Sequence, residues 1–118
     1  MNENANQYGN IYISHRAIST IASQSALESY GVVGLAAKNL AEGLAQVLVK
    51  DPLLGVDIVY SKNTLAIDLY IIVEYGTRIK SVASMVADAV RFNVERALGM
   101  TVSQVNVHIR GLRISNPD

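Results

Sequence analysis

Apolar and polar residues change their spacing several times along the chain, and each change marks a predicted element. Residues 9–13 alternate as a short strand, and Ser14 follows in the position of a helix N-cap. The helix that begins there is expected to end at Gly31, which suits the left-handed residue of a C-cap. Its inner stripe of apolar and small residues consists of Ile18, Ile21, Ala22 and Ser25.

The next stretch predicts a second helix, preceded by a segment that the sequence leaves open. Residues 32–35 are apolar and fit either a small strand or a buried turn. From residue 38 to about 49 the apolar residues share one helical face, and Asp51-Pro52 stops this helix because a residue before proline disfavours the helical conformation. The face is formed by Leu40, Leu44, Val47 and Leu48.

Two alternating runs, residues 56–61 and 64–75, predict a β-hairpin. They are joined at Lys62 and Asn63, where asparagine tolerates a positive φ. One face of the second strand is apolar and predicts the core, whereas the other is mixed. The core face holds Leu65, Ile67, Leu69, Ile71, Val73 and Tyr75, and the mixed face holds Ala66, Asp68, Tyr70, Ile72 and Glu74.

Gly76 breaks the second hairpin strand, and the longest helix follows, ending at Leu98-Gly99. Met85 and Phe92 lie seven residues apart on a flank of its apolar stripe, either at the edge of the core or on a second exposed surface. The stripe consists of Ile79, Val82, Ala83, Val86, Ala89, Val90, Val94 and Ala97.

The chain closes with a strand at residues 105–114, in which apolar and polar residues alternate. Asn106, His108 and Arg110 form its polar side and are a candidate contact strip. After Gly111 the alternation shifts by one residue, which predicts a β-bulge or bend that returns Leu112 and Ile114 to the core.

This order of elements, β-α-(β)-α-β-β-α-β, predicts an α+β fold with a small mixed or antiparallel sheet and helices packed on one face. We expect one domain over residues 9–114, with a flexible N-terminus at residues 1–8 and a short tail at 115–118.

The amino-acid composition of the chain limits the classes of function that it can have. Half of the residues are hydrophobic and 17% are charged, which is typical of a globular protein. Ten basic residues balance ten acidic ones, so the excess positive charge that nucleic-acid binding needs is missing. A net charge near zero eases self-association, although it fits a monomer equally well. The start of the chain does not read as a signal peptide, and no apolar run is long enough to span a bilayer.

Residues for catalysis or metal binding are scarce. There is no cysteine, and the only candidate bases are His15 and His108. The two histidines lie far apart and lack the short ligand spacings of metal sites. The acidic residues of the hairpin are Asp57, Asp68 and Glu74, and two of them could in principle act as acid and base. Asp68 and Glu74 share a strand face but lie about 20 Å apart, too far to act as such a pair. We therefore expect no catalytic residue, no cofactor and no metal.

Gly31 and Gly34 raise one alternative function. A Gly-x-x-Gly turn between two helices is how KH domains clamp single-stranded nucleic acid. Here the two central residues are valines, which favour a packed segment over one that presents phosphate-binding groups.

Four phrases of the sequence, taken in order, resemble the alkaline shock protein family, the Gls-type envelope stress response proteins that include the YloU-like branch. The phrases are GNIYIS at residues 9–14 followed by Ala17-Ile18, YGVVGLA at 30–36, IDLYIIVEYG at 67–76 and VNVHIRG at 105–111. The resemblance implies a small cytoplasmic α+β protein that self-assembles in some members. In some members it is also held at the inner face of the membrane by an anchoring protein. It implies no enzymatic activity, cofactor or catalytic residue.

The sequence thus leads to one main hypothesis, a non-enzymatic bacterial protein of cell-envelope or general stress response. It would act through contacts with other proteins and with itself. The alternative is a KH-like module that binds single-stranded nucleic acid through the segment between Gly31 and Gly34.

Overall fold

A computed structural model describes residues 14–38 and 48–114 of the chain. Helix α1 (His15–Leu27) begins as predicted, because the Ser14 hydroxyl accepts a hydrogen bond from the backbone N–H of Ala17 at 3.0 Å. The predicted strand at residues 9–13 and both chain ends lie outside the described residues.

Gly31 does not end α1, which corrects the expectation from the sequence. The helix ends four residues earlier because the chain tightens there, with the N–H of Ser29 donating to the carbonyl of Ala26 at 3.0 Å. Gly31 does adopt a positive φ of 88°, but it does so at the entrance to the sheet, where its carbonyl accepts from the N–H of Glu74 at 2.7 Å.

The open segment after Gly31 is a strand, β1 (Val32–Ala36), and it pairs with a two-residue strand, β2 (Leu48–Val49). Residues 39–47 of the predicted second helix lie outside the described residues. At its described C-terminal end the helix prediction is wrong, because residues 48 and 49 pair with Ala36 and Leu35 in the sheet.

Asp51-Pro52, predicted to stop a helix, instead starts one. The short helix α2 (Pro52–Gly55) follows Asp51, whose carboxylate accepts from the N–H of Leu53 at 3.0 Å. Proline suits the first position of a helix because its missing N–H has no intrahelical partner there.

The predicted hairpin is present as β3 (Val56–Ser61) and β4 (Thr64–Glu74). The left-handed residue of its turn is Lys62, with a φ of 56°, and not Asn63 as expected. Tyr75 lies beyond the strand and is exposed, so it does not belong to the core face.

The longest helix, α3 (Ile79–Leu98), ends at Gly99, which has a left-handed φ of 70° as predicted. The last strand, β5 (Thr101–Arg113), begins four residues before the predicted start and runs parallel to β4. The sheet is therefore mixed. Because β5 lies along the whole of β4, the strands β1 and β3 share the other edge of β4, and β2 extends the sheet beyond β1.

The core lies between one face of the sheet and the helices α1 and α3. The odd-numbered side chains of β4 from Leu65 to Val73 are fully buried, as the alternation predicted. They pack with the helix residues Ile18, Ala22, Ala26, Val82, Val86, Val90 and Val94. Ile79 and Ala97, both placed in the predicted stripe of α3, are instead exposed at the two ends of that helix. Neither long helix covers the opposite face of β4.

Candidate functional site

The five residues predicted to form a contact surface lie on opposite sides of the protein. Asn106 and His108 pair with Asp68 and Tyr70 on the even-numbered side of β4, away from the long helices. Met85 and Phe92 lie on the solvent side of α3. The fold therefore places the contact strip and the Met85–Phe92 flank on two separate surfaces, which we call the sheet face and the helix face.

The bulge predicted at the end of β5 is present. Ile109 pairs with Ile71 and Gly111 pairs with the next residue of β4, so Arg110 is the extra residue of the bulged strand. The expectation that the bulge returns Leu112 and Ile114 to the core is wrong. Leu112 pairs on the edge strand near the end of β4 and is 40% exposed, whereas Ile114 lies beyond the strand and is 69% exposed.

Two carboxylates face each other on the sheet face. Asp57 of β3 is directly opposite Asp68 of β4, and like charges in that position destabilise a strand pair. Each carboxylate has a compensating neighbour, since Lys38 Nζ lies 3.7 Å from Asp57 Oδ1 and His108 Nε2 lies 3.0 Å from Asp68 Oδ1. The row of side chains Lys38, Asp57, Asp68 and His108 thus links the segment after β1 with β3, β4 and β5.

Tyr70 is the centre of a second set of contacts beside that row. The His108 ring stacks on the Tyr70 ring with 4.6 Å between centroids and 11° between planes. The Arg110 guanidinium carbon lies 4.7 Å from the centroid of the same ring, a cation–π distance. Arg110 Nη2 also donates to the carbonyl of Lys38 at 3.3 Å. Lys38 therefore takes part in both sets of contacts.

The environment of Tyr70 suppresses ionisation of its phenol. Burial raises the pKa of Tyr70 above its ordinary value of 10.0, the charges of Asp68 and Asp57 raise it further, and Arg110 lowers it. Arg110 Nε is buried and has no hydrogen-bond partner among residues 14–38 and 48–114, and an unsatisfied donor of this kind costs about 1–3 kcal/mol. The rest of the guanidinium does have partners, the Tyr70 ring and the carbonyl of Lys38.

His108 and Asp68 have the geometry of a general base and its orienting carboxylate. Within residues 14–38 and 48–114 no serine or threonine hydroxyl is hydrogen-bonded to His108. The other histidine, His15, lies at the start of α1 and contacts the Tyr60 ring, with 5.4 Å between centroids. The same part of the chain contains no group of three metal-binding side chains.

Sequence reasoning missed the partner of Asp68. Of the three hairpin carboxylates, only the spacing of Asp68 and Glu74 on one strand was worked out, and the pairing of Asp68 with Asp57 across the two strands was not. The signal was present, because a two-residue turn at Lys62 and Asn63 fixes the register of the hairpin and places Asp57 opposite Asp68. No comparable pattern in the sequence indicates the contact of Lys38 with Asp57 or that of Arg110 with Tyr70.

The segment from Gly31 to Gly34 is not arranged like the nucleic-acid clamp of a KH domain. It leads into β1, which pairs with β4, and a register irregularity falls between Val32 and Gly34. Gly34 is buried against Leu48, and an added Cβ would lie 2.9 Å from that side chain. The segment is therefore packed inside the sheet.

The helix face contains two open grooves and exposed apolar side chains. One groove, of about 490 Å³, lies between α1 and α3 and is lined by Thr20, Ile21, Gln24, Ser25, Glu28, Asn93, Arg96 and Ala97. The other, of about 330 Å³, is lined by Tyr30, Gly76, Thr77, Arg78, Ser81, Val82 and Met85. Met85 is 45% exposed and Phe92 is 59% exposed, so both lie outside the core.

Residues 3–114 match the alkaline shock protein 23 family, which is described as having a cell envelope-related function. The chain belongs to this family. It is 39% identical over 113 residues to the uncharacterized protein YloU of Bacillus subtilis (strain 168), covering 94% of each chain. It is also 32% identical over 108 residues to an uncharacterized protein of Streptococcus pyogenes serotype M6, covering 90% of this chain and 89% of the relative.

Solved structures with a similar fold include MamM C-terminal domains. The domain spanning its residues 215–293 covers 86% of this chain and 99% of its own, with a TM-score of 0.50 and 14% identity. A variant solved in a zinc form covers 86% and 89%, with a TM-score of 0.52 and 14% identity. At this identity the likeness shows the α+β fold alone.

No helix within residues 14–38 and 48–114 is long and apolar enough to cross a membrane.

Proposed function

We propose that this protein serves the cell envelope-related function of its family as a non-enzymatic protein that binds other proteins and copies of itself. The observation that carries the proposal is the helix face, where Met85 and Phe92 remain about half exposed beside two open grooves. Large apolar side chains left in water next to concave surfaces are typical of interfaces.

The sheet face supports the non-enzymatic part of the proposal. Its polar groups contact one another, with His108 on Asp68 and Arg110 on Tyr70, and within residues 14–38 and 48–114 no serine or threonine hydroxyl is hydrogen-bonded to His108. Such a surface is suited to recognition through charge and hydrogen bonding, in which Asn106, His108 and Arg110 are the contact strip. The balanced net charge also removes long-range repulsion between copies.

We further propose that the protein acts in the cytoplasm during envelope or general stress, at the inner face of the membrane, where a partner protein holds it. The envelope-related function of the family supports this location. Fractionation of host cells is the test: the protein should sediment with membranes in the wild type and be released by high salt. Resistance to salt extraction would instead point to direct insertion in the bilayer.

Self-association and partner binding are tested together. Sedimentation velocity over a concentration series should show a rising average mass, and affinity capture from host lysate should recover specific proteins. A matched Phe92→Ser variant should lose one or both properties while keeping its helical and strand content by circular dichroism. A wild-type protein that stays monomeric and captures nothing would refute the proposal.

A further inference from the structure

The outer edge of β5 has no partner strand in the part of the chain that the structure describes. β5 pairs with β4 along one edge, and no strand within residues 14–38 and 48–114 pairs with its other edge. Such an edge presents a row of backbone N–H and C=O groups to another strand. We infer that this edge accepts residues 9–13 of a second copy of the chain as an added strand. The inference rests on the self-association proposed above and adds a second contact to it.

Two observations show which residues of β5 direct their backbone groups outward. Both groups of Val102 are bound by α3, since its N–H donates to Glu95 Oε2 at 2.9 Å and its carbonyl accepts from Arg91 Nη1. Val102 therefore faces away from β4. The register with β4 shifts by one residue between Val102 and Gln104, and the backbone alternates regularly after that. The residues that then face outward, which we call the open edge, are Val105, Val107 and Ile109.

Small and aliphatic side chains surround the open edge on the core side of the sheet. Its own side chains pack against the core but remain partly exposed. Ala87 and Ala83 precede Arg91 by one and two turns on the same side of α3, and both are partly exposed. They leave room between the helix and the edge for the side chains of an added strand. Other proteins bind extended peptides at such edges, with main-chain hydrogen bonds for affinity and alternate side chains for specificity.

Residues 9–13, which lie outside the described residues, match the open edge in length and in alternation. The segment has the sequence GNIYI, and the open edge also spans five residues from its first to its last. An antiparallel pairing centred on Ile11 and Val107 places the aliphatic side chains of both strands on the core side of the sheet. The other side of the segment, Asn10 and Tyr12, then lies beside the contact strip. A shift by one residue would exchange the two sides, so the alternation disfavours it.

The segment of the same copy starts too far from this edge to pair with it. Ile13 is bonded to Ser14, at the start of α1. The next residue, His15, contacts the Tyr60 ring of β3 with 5.4 Å between centroids. β3 and β5 lie on opposite edges of β4. With about 4.8 Å between neighbouring strands, the position outside β5 is about 14 Å from β3, whereas one residue spans at most about 3.6 Å. A neighbouring copy must therefore supply the strand.

The added strand binds weakly by itself, because an isolated pair of strands is marginal in water. Copies that are already held together through the helix face raise the effective concentration of the segment to about the millimolar range. The strand contact therefore follows association through Met85 and Phe92, and loss of that association also removes it.

Amide hydrogen exchange of the full-length protein, followed by NMR, tests the contact residue by residue. At concentrations where copies associate, the amides of the open edge should exchange at least about tenfold more slowly than in the dilute monomer. Asn106 and His108, whose N–H groups point to β4, are internal controls and should be protected at both concentrations. Open-edge amides that exchange equally fast at both concentrations, in a protein that associates, would overturn the inference.

Two proline substitutions in the full-length protein test whether the segment pairs through its backbone. Ile11→Pro removes the N–H that faces the open edge in the proposed pairing, so the slowing of exchange should be lost. Asn10→Pro is the matched control, because the N–H of residue 10 points away from β5 and proline is tolerated at such positions of an edge strand. Equal protection of the open edge in the two variants would contradict the pairing.

A synthetic peptide separates this inference from the self-association on which it rests. A peptide of residues 8–14, titrated into the full-length Ile11→Pro variant, should shift the NMR signals of the open edge. The same peptide methylated at the Ile11 nitrogen should not. A wild-type protein that is monomeric at every concentration refutes both the self-association and the second copy as occupant. A protein that associates but neither protects the open edge nor binds the peptide leaves self-association standing and rejects the strand contact.

Discussion

The sheet face holds its polar side chains against one another, whereas the helix face leaves apolar side chains against water. On the sheet face, His108 contacts both Asp68 and Tyr70, and Arg110 contacts Tyr70 and the backbone of Lys38. On the helix face, Met85 and Phe92 project beside two grooves. Contacts between side chains within a chain contribute to its stability, whereas large apolar side chains left in water favour association with another copy. The two faces should therefore respond differently to substitution.

Substitution in the core layer between the two faces should cause the largest loss in the free energy of unfolding. Leu69→Ala removes a fully buried side chain that packs with α1 and α3, and we expect a loss of about 2–5 kcal/mol in the free energy of unfolding. Tyr70→Phe, one residue along on the sheet face, is the matched control and should change the stability at neutral pH by much less. Urea unfolding followed by circular dichroism measures both. Equal losses would mean that the sheet face is part of the core.

Loss of the contact between His108 and Asp68 should cause the next largest decrease in the free energy of unfolding. His108→Ala should cost about 1 kcal/mol, because it removes a hydrogen bond to a carboxylate together with the stack on Tyr70. The neighbouring substitution Asn106→Ala is the control and should be near neutral, since Asn106 is exposed. A double-mutant cycle with Asp68→Asn should show coupling between the two residues, and strictly additive effects would contradict the contact.

Tyr70 should make the sheet face sensitive to alkaline pH. Its pKa is raised in the folded state by burial and by Asp68 and Asp57, so above pH 10.0 the unfolded chain loses this proton first. The stabilising difference is fully present below that pH and is lost as the pH rises toward the folded pKa. Unfolding measured between about pH 9 and pH 11 should show a steeper loss of stability in the wild type than in Tyr70→Phe. Parallel pH profiles would contradict the shift.

Substitution of Phe92 should have the smallest effect on the free energy of unfolding and should instead affect self-association. Phe92→Ser removes an exposed side chain, so the free energy of unfolding should change by no more than about 0.5 kcal/mol. The same variant should lose self-association in sedimentation velocity, whereas His108→Ala should retain it. If the sheet-face variant alone lost association, the roles of the two faces would be reversed.

Much of the fold could be predicted from local patterns. The alternation in β4 predicted its buried side, since neighbouring side chains of a strand point to opposite faces. Ser14 and Gly99 marked a helix start and a helix end through backbone requirements that act within a few residues. Predictions near Gly31 and Asp51 were wrong because the sheet and α2 determine the backbone there, through hydrogen bonds to Glu74 and Leu53.

The candidate surfaces were harder to predict. Alternation in β5 predicted the polar side to which the proposed contact strip belongs, but nothing in the sequence placed Lys38 near Asp57 or Arg110 near Tyr70. These contacts join segments that are far apart along the chain, and no local rule reports them. Leu112 and Ile114 were wrongly assigned to the core, because alternation predicts the side of the strand on which a residue lies but not whether another element covers that side.

The sequence by itself determined the family, the α+β class, the hairpin register and the buried side of β4, because these depend on spacing between near neighbours. Only the tertiary structure decided that Asn106, His108 and Arg110 lie on one face while Met85 and Phe92 lie on the other. It also decided which polar groups are satisfied within the chain. The physical reason is that the chain passes from β4 through α3 to β5, which lies parallel to β4. This crossover places the strand in the sheet and the helix in the layer that packs on it.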